Sequence, residues 1–165
     1  MPVRQYVCFA LYSRHTPADE MTRRLGVSPD KVSVRDSRRT GPTVVPVDHS
    51  WEIVCSEPDL NVDEQIVRVL DRLRPHIDDV AELAGRLAAE GGGAVPQVVR
   101  YFDDATGDRP GVPDGPNLFG WHLDRGTMDF LTAVGAELDV DEYDLTSGPN
   151  EDRTHELPPG PPGPG

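Results

Sequence analysis

The sequence has little of what redox, metal and membrane proteins are built from. Cysteine occurs twice, at Cys8 and Cys55, with no CxxC spacing and no histidine at a ligand interval beside either. Two thiols so placed read as buried and inert, not as a disulfide or a zinc site. No stretch approaches the ~18 consecutive apolar residues that a spanning helix requires. Met1 to Ala10 is strand-like and lacks the apolar stretch and small-residue cleavage site of a signal peptide, so a cytoplasmic location is expected. Lysine occurs once, at Lys31, and 16 basic residues stand against 29 acidic ones for a formal net charge of −13. Phosphate recognition rests on clustered cations, so neither nucleic acid nor an anionic membrane is an expected partner.

Catalytic motifs are missing too. The five histidines, His15, His49, His76, His122 and His155, are scattered, and none has a second ligand at metal spacing. There is no GxSxG elbow. Gly91-Gly92-Gly93 follows a helical pattern and precedes no Lys-Ser/Thr, so it is no phosphate loop. Asp139, Asp141, Glu142 and Asp144 lack the turn glycine and closing glutamate of a calcium loop, and strand alternation would send neighbours to opposite faces. The expectation is a protein that is not an enzyme and needs neither metal nor cofactor.

What is present is an alternation of strand and helix signals. Gln5–Ser13 is apolar on both faces and reads as a central strand. Thr16 and Pro17 open a helix that runs to Leu25 and closes at Gly26. Val32 and Val34 suggest a short edge strand, and His49–Ser56 a longer one carrying Trp51, Ile53 and Cys55 on one face. Asn61 and Glu64 have capping-box spacing ahead of an apolar stripe at Ile66, Leu70, Leu73, Ile77, Val80, Ala84 and Leu87. Pro75 predicts a kink or a break at Arg74 without loss of phase. Val95–Phe102 and Leu118–Leu123 read as strands, with a Gly/Pro/Asp loop over 103–117 between them. A helix from Asp124 to Val134, with Met128, Leu131 and Val134 inward, and a last strand over Leu138–Leu145 follow. Residues 146–165 are rich in Ser, Gly, Pro and charge and read as a disordered tail behind a single domain over 1–145.

This order predicts an α+β fold, a ferredoxin-like two-layer sandwich with a mainly antiparallel sheet and helices on one face. An exposed sheet face carrying Tyr6, Tyr12 and one of Trp51 or Trp121 is then a candidate binding surface. Arg35, Arg38 and Arg39 form a basic stretch that could meet an anion or acidic partner. Charge is unevenly spread: residues 1–45 hold eight basic and four acidic residues, residues 46–165 eight and twenty-five.

The segments YVCFALYS, TPADEMTRRLGVSPDKV, SWEIVCS, LAGRLAAE and FLTAVGAELDVDEYDL, in that order, resemble the bacterial family named domain of unknown function 4279. The resemblance rests on Leu25-Gly26, Trp51 and Asp139-Val140-Asp141 with Tyr143, covers about residues 5–145, and departs at Glu142, where an apolar residue is expected. It implies no activity. Two readings stay open: a non-enzymatic module whose acidic half engages a basic protein, as an immunity-like protein would, and a small-ligand sensor using the aromatic sheet face.

Overall fold

The computed structural model describes residues 3–37, 46–102 and 120–145. Among them the chain forms five strands and four α-helices in the order β1 (Val3–Ser13), α1 (Ala18–Leu25), β2 (Lys31–Ser33), β3 (His49–Cys55), α2 (Val62–Asp71), α3 (Ile77–Ala89), β4 (Gly93–Phe102), α4 (Arg125–Val134) and β5 (Asp139–Asp144). The fold is α+β. No helix among these residues is long and apolar enough to cross a membrane.

The helices begin and end where local chemistry directs. Glu64 accepts the Asn61 amide at 2.8 Å, and Asp124 accepts the Thr127 amide at 2.7 Å, which satisfies donors that the first helical turn leaves without partners. Pro17, not Thr16, takes the N-cap of α1, while the Thr16 hydroxyl donates to Glu90 at 2.9 Å. Gly26 and Gly135 close α1 and α4 with φ of 66° and 65°, a left-handed geometry that costs a residue with a side chain about 1–2 kcal/mol. The break at Pro75 takes the form of a single 3₁₀ turn over Arg74–His76 between α2 and α3.

The strands form one mixed sheet in the order β2-β3-β1-β4-β5. β1 pairs antiparallel with β3 and with β4, β2 pairs antiparallel with β3, and β4 pairs in parallel with β5 across α4. β2, the strand reached through α1, therefore runs the same way as β1 with β3 between them, and β5 adds a parallel strand outside β4.

Register divides the sheet into two faces. Val7, Phe9 and Leu11 of β1, Trp51, Ile53 and Cys55 of β3, and Ala94 and Val98 of β4 join one core with the buried residues of all four helices. The stripe predicted across Pro75 belongs to it, with Leu73, Val80 and Leu87 fully buried. Phe9 meets Phe130 edge to face at 6.1 Å, which seats α4 against β1. Each such side chain contributes ~1.5–3 kcal/mol by leaving water. Three details differ from expectation. Residues 120–123 are not strand; Trp121 and Leu123 pack on the core from a loop. Met128 is exposed, because the buried stripe of α4 runs through Thr127, Phe130, Leu131 and Val134. Glu142, where an apolar residue is expected, lies opposite Arg100 in register and receives its guanidinium at 2.9 Å.

Candidate functional site: a tyrosine-bearing sheet face

The other face is set by the same alternation. Residues paired across neighbouring strands share a face, so Arg4, Tyr6, Cys8, Ala10 and Tyr12 of β1 stand with Ser50, Glu52 and Val54 of β3 and with Gly93, Val95, Gln97, Val99 and Tyr101 of β4. β5 adds Asp139, Asp141 and Tyr143, and β2 adds Lys31. None of these belongs to the core formed with the helices. The chain has four tyrosines, and all four stand here.

Their arrangement is specific. Tyr101 and Tyr143 are stacked, with ring centroids 5.1 Å apart and planes at 15°. The guanidinium of Arg4 lies over Tyr101, 5.5 Å from its centroid. Tyr12 lies along Gly93, where an added Cβ would come within 3.3 Å of the phenol oxygen. Next to it, Gly92 passes so close to the Tyr12 carbonyl that a Cβ would overlap it, so only glycine fits.

The polar groups of this face bond to one another. The Gln97 side-chain amide donates to Asp141 at 3.0 Å and to Asp139 at 3.3 Å, and its oxygen lies 3.9 Å from the Cys8 sulfur. Glu52 pairs with Lys31 at 3.3 Å and accepts from the Ser50 hydroxyl at 3.1 Å. Burial, with Glu52 adding to it, pushes the Cys8 thiol up to about 11. It is therefore a neutral thiol at physiological pH and not a nucleophile. Burial and then the neighbouring Tyr101 push the Tyr6 phenol up as well.

Of the residues singled out from the sequence, Tyr6 and Tyr12 share this face. Trp51 does not: it is fully buried on the helix side, and its indole donates to the Thr22 hydroxyl at 3.0 Å. Trp121 is half-buried against the core. Arg35 is engaged locally, by the Arg14 carbonyl at 3.3 Å and by Asp36 at 3.4 Å. Arg38 and Arg39 lie outside the described residues. Sequence reasoning passed over Gln97, Tyr101 and Tyr143. The signal was parity, since Asp139, Asp141 and Tyr143 share a period of two, but it becomes a face only once β4 and β5 are paired.

Among the described residues, cavities lie elsewhere. One of about 360 Å³ lies between α2 and the start of α4. Its charged groups are already committed: His122 to Asp63 at 3.3 Å, Arg68 to Glu57 at 2.6 Å, Asp71 to Arg74 at 3.2 Å, and Glu64 and Asp124 to helix caps. The cap bond from Thr127 holds Asp124 below the usual carboxylate range. A second, near 130 Å³, is lined by Arg24, Asp79, Glu82, Leu83 and Arg86, and a third, near 320 Å³, opens beside the end of β3 at Cys55 and Arg72. No tyrosine lines any of the three.

No curated protein and no solved structure matches the chain. The family described as Domain of unknown function (DUF4279) matches residues 3–145, from the start of β1 past the end of β5. By that match the chain belongs to this family.

Proposed function

We propose that the chain is a non-enzymatic, cytoplasmic protein-recognition module, two-layered, with its helices on one face and its binding surface on the other. The observation that carries this reading is the placement of all four tyrosines, Tyr6, Tyr12, Tyr101 and Tyr143, on the sheet face that takes no part in the helix core. Tyrosine offers a large apolar area and a polar tip with few rotatable bonds, which is why it is enriched at protein interfaces. The cavities at α2–α4, at Arg24–Arg86 and at the end of β3 are lined by no tyrosine, and a broad sheet face suits a partner with a surface of its own better than a small ligand.

Charge indicates the kind of partner. The strand residues of this face hold three carboxylates, Glu52, Asp139 and Asp141, and two cations, Arg4 and Lys31. Against the net charge of −13, a basic protein is the complementary partner.

The test is an NMR titration of the full chain with a synthetic arginine-rich polypeptide, using a glutamate-rich polypeptide as control. The expected result is movement of the tyrosine ring signals with the basic polypeptide only, diminishing as salt is raised. Shifts confined to α1–α4 would place recognition elsewhere.

A further inference from the structure

We infer that β5 is the docking edge of this surface, and that it accepts an added strand from a basic partner that presents an arginine to Tyr143. This deepens the proposed recognition function and rests on it.

β5 ends the sheet order, and among the described residues no strand lies beyond it. The amides of Glu137 and Leu145 donate to the β4 carbonyls of Ala94 and Phe102. Successive strand amides alternate in direction, so those of Val140 and Glu142 point away from β4. A row of outward backbone groups is a template for strand addition.

The side chains along that edge select the occupant. Asp139, Asp141 and Tyr143 follow one another on the tyrosine face at alternate positions, about 7 Å apart at the ordinary strand rise. Among the described residues neither aspartate meets a cation: both accept from the neutral Gln97 amide. An added strand would place its own alternate side chains about 5 Å from these three. Cations opposite Asp139 and Asp141 supply the missing countercharge.

The stack selects arginine at the third position. Arg4 lies over Tyr101, and Tyr101 lies on Tyr143. Tyr143 is 45% exposed at the sheet edge, so a guanidinium from the partner can extend the series on the ring's outer side. The planar guanidinium stacks where an ammonium does not. A second copy of this chain is a poor occupant: four of the six β5 residues are acidic, and strand pairing would set like charges opposite one another.

The experiment uses the ¹⁵N-labelled full chain and two extended peptides, one alternating Arg and Thr, the other Lys and Thr. With the Arg peptide, hydrogen exchange at the Val140 and Glu142 amides is expected to slow by about tenfold or more. The Lys peptide is expected to bind several-fold more weakly. Tyr143→Ala is expected to erase that preference and Tyr143→Phe to keep it, while Asp139→Asn with Asp141→Asn weakens both peptides. Binding that moves the Tyr6 and Tyr12 rings but leaves the two amides unprotected overturns strand addition and leaves the proposed surface standing. Equal binding of both peptides to the unaltered chain overturns the arginine preference. Absence of binding by either peptide overturns the edge and the proposed surface together.

Discussion

Arg100 and Glu142 face each other across the β4–β5 pair, Nη1 to Oε1 at 2.9 Å, with the arginine side chain 2% exposed and the glutamate 47%. The cation is deep, and the anion reaches in from the edge. Arg100 also lies over the Phe102 ring, 4.9 Å from its centroid. This pair is how the last strand tolerates an acid on its inner side: Glu142 sits on the helix side of β5 and its charge is matched from beneath. Removing the acid weakens the hold on a buried charge. Glu142→Gln is expected to cost about 1–2 kcal/mol, less than a fully buried pair because half of Glu142 is in water. Urea denaturation measures it, and exchange should rise first at β5.

Trp51 ties α1 to β3 through its bond to Thr22. Trp51→Phe keeps most of the packing and loses the bond, for an expected cost of about 1–2 kcal/mol, whereas Trp51→Ala opens a cavity and is expected to cost about 3–5 kcal/mol. A double-mutant cycle with Thr22→Val isolates the bond, and a coupling near zero would show that it contributes nothing.

The raised Cys8 thiol has a consequence for stability at high pH. Folding lifts its pKa from 9.0 to about 11, so between those values the unfolded chain gives up a proton that the folded chain keeps. Ionisation therefore favours unfolding: stability is complete below pH 9 and declines as pH rises toward 11. Tyr6 acts in the same direction above its ordinary value of 10.0. Cys8→Ala is expected to make the decline in denaturation midpoint shallower. At neutral pH, alkylation of Cys8 is expected to be far slower than that of a free thiol.

Much of the helical layer is legible in the sequence because its signals are local. Asn61 with Glu64, the stripe from Ile66 to Leu87, Pro75 and the closing glycines each act within a few residues. The expectation that Trp51 could stand on the exposed face overlooked a signal already present: it shares its face with Ile53 and Cys55 while Ser50 and Glu52 oppose it, an apolar stripe that points inward. The segment around Trp121 was not, because a short apolar run can pack on a core from a loop as readily as from a strand. The tyrosine face was half visible. Tyr6 and Tyr12 share parity within one strand, but Tyr101 and Tyr143 join them only through the registers Arg4 to Tyr101 and Tyr101 to Tyr143. Strand order and direction depend on contacts distant in sequence, which is why the place of β5 beside β4, and parallel to it, was not legible.

Recognition on the tyrosine face sets Tyr12 apart from apolar residues exposed on the helices. Its most direct test compares Tyr12→Ser with Met128→Ser, an exposed apolar change on α4, by titrating each full chain with the arginine-rich polypeptide. Tyr12→Ser is expected to weaken binding by about tenfold, a loss near 1.4 kcal/mol, while Met128→Ser leaves it unchanged. Loss of binding in the Met128 variant alone would contradict recognition on the tyrosine face.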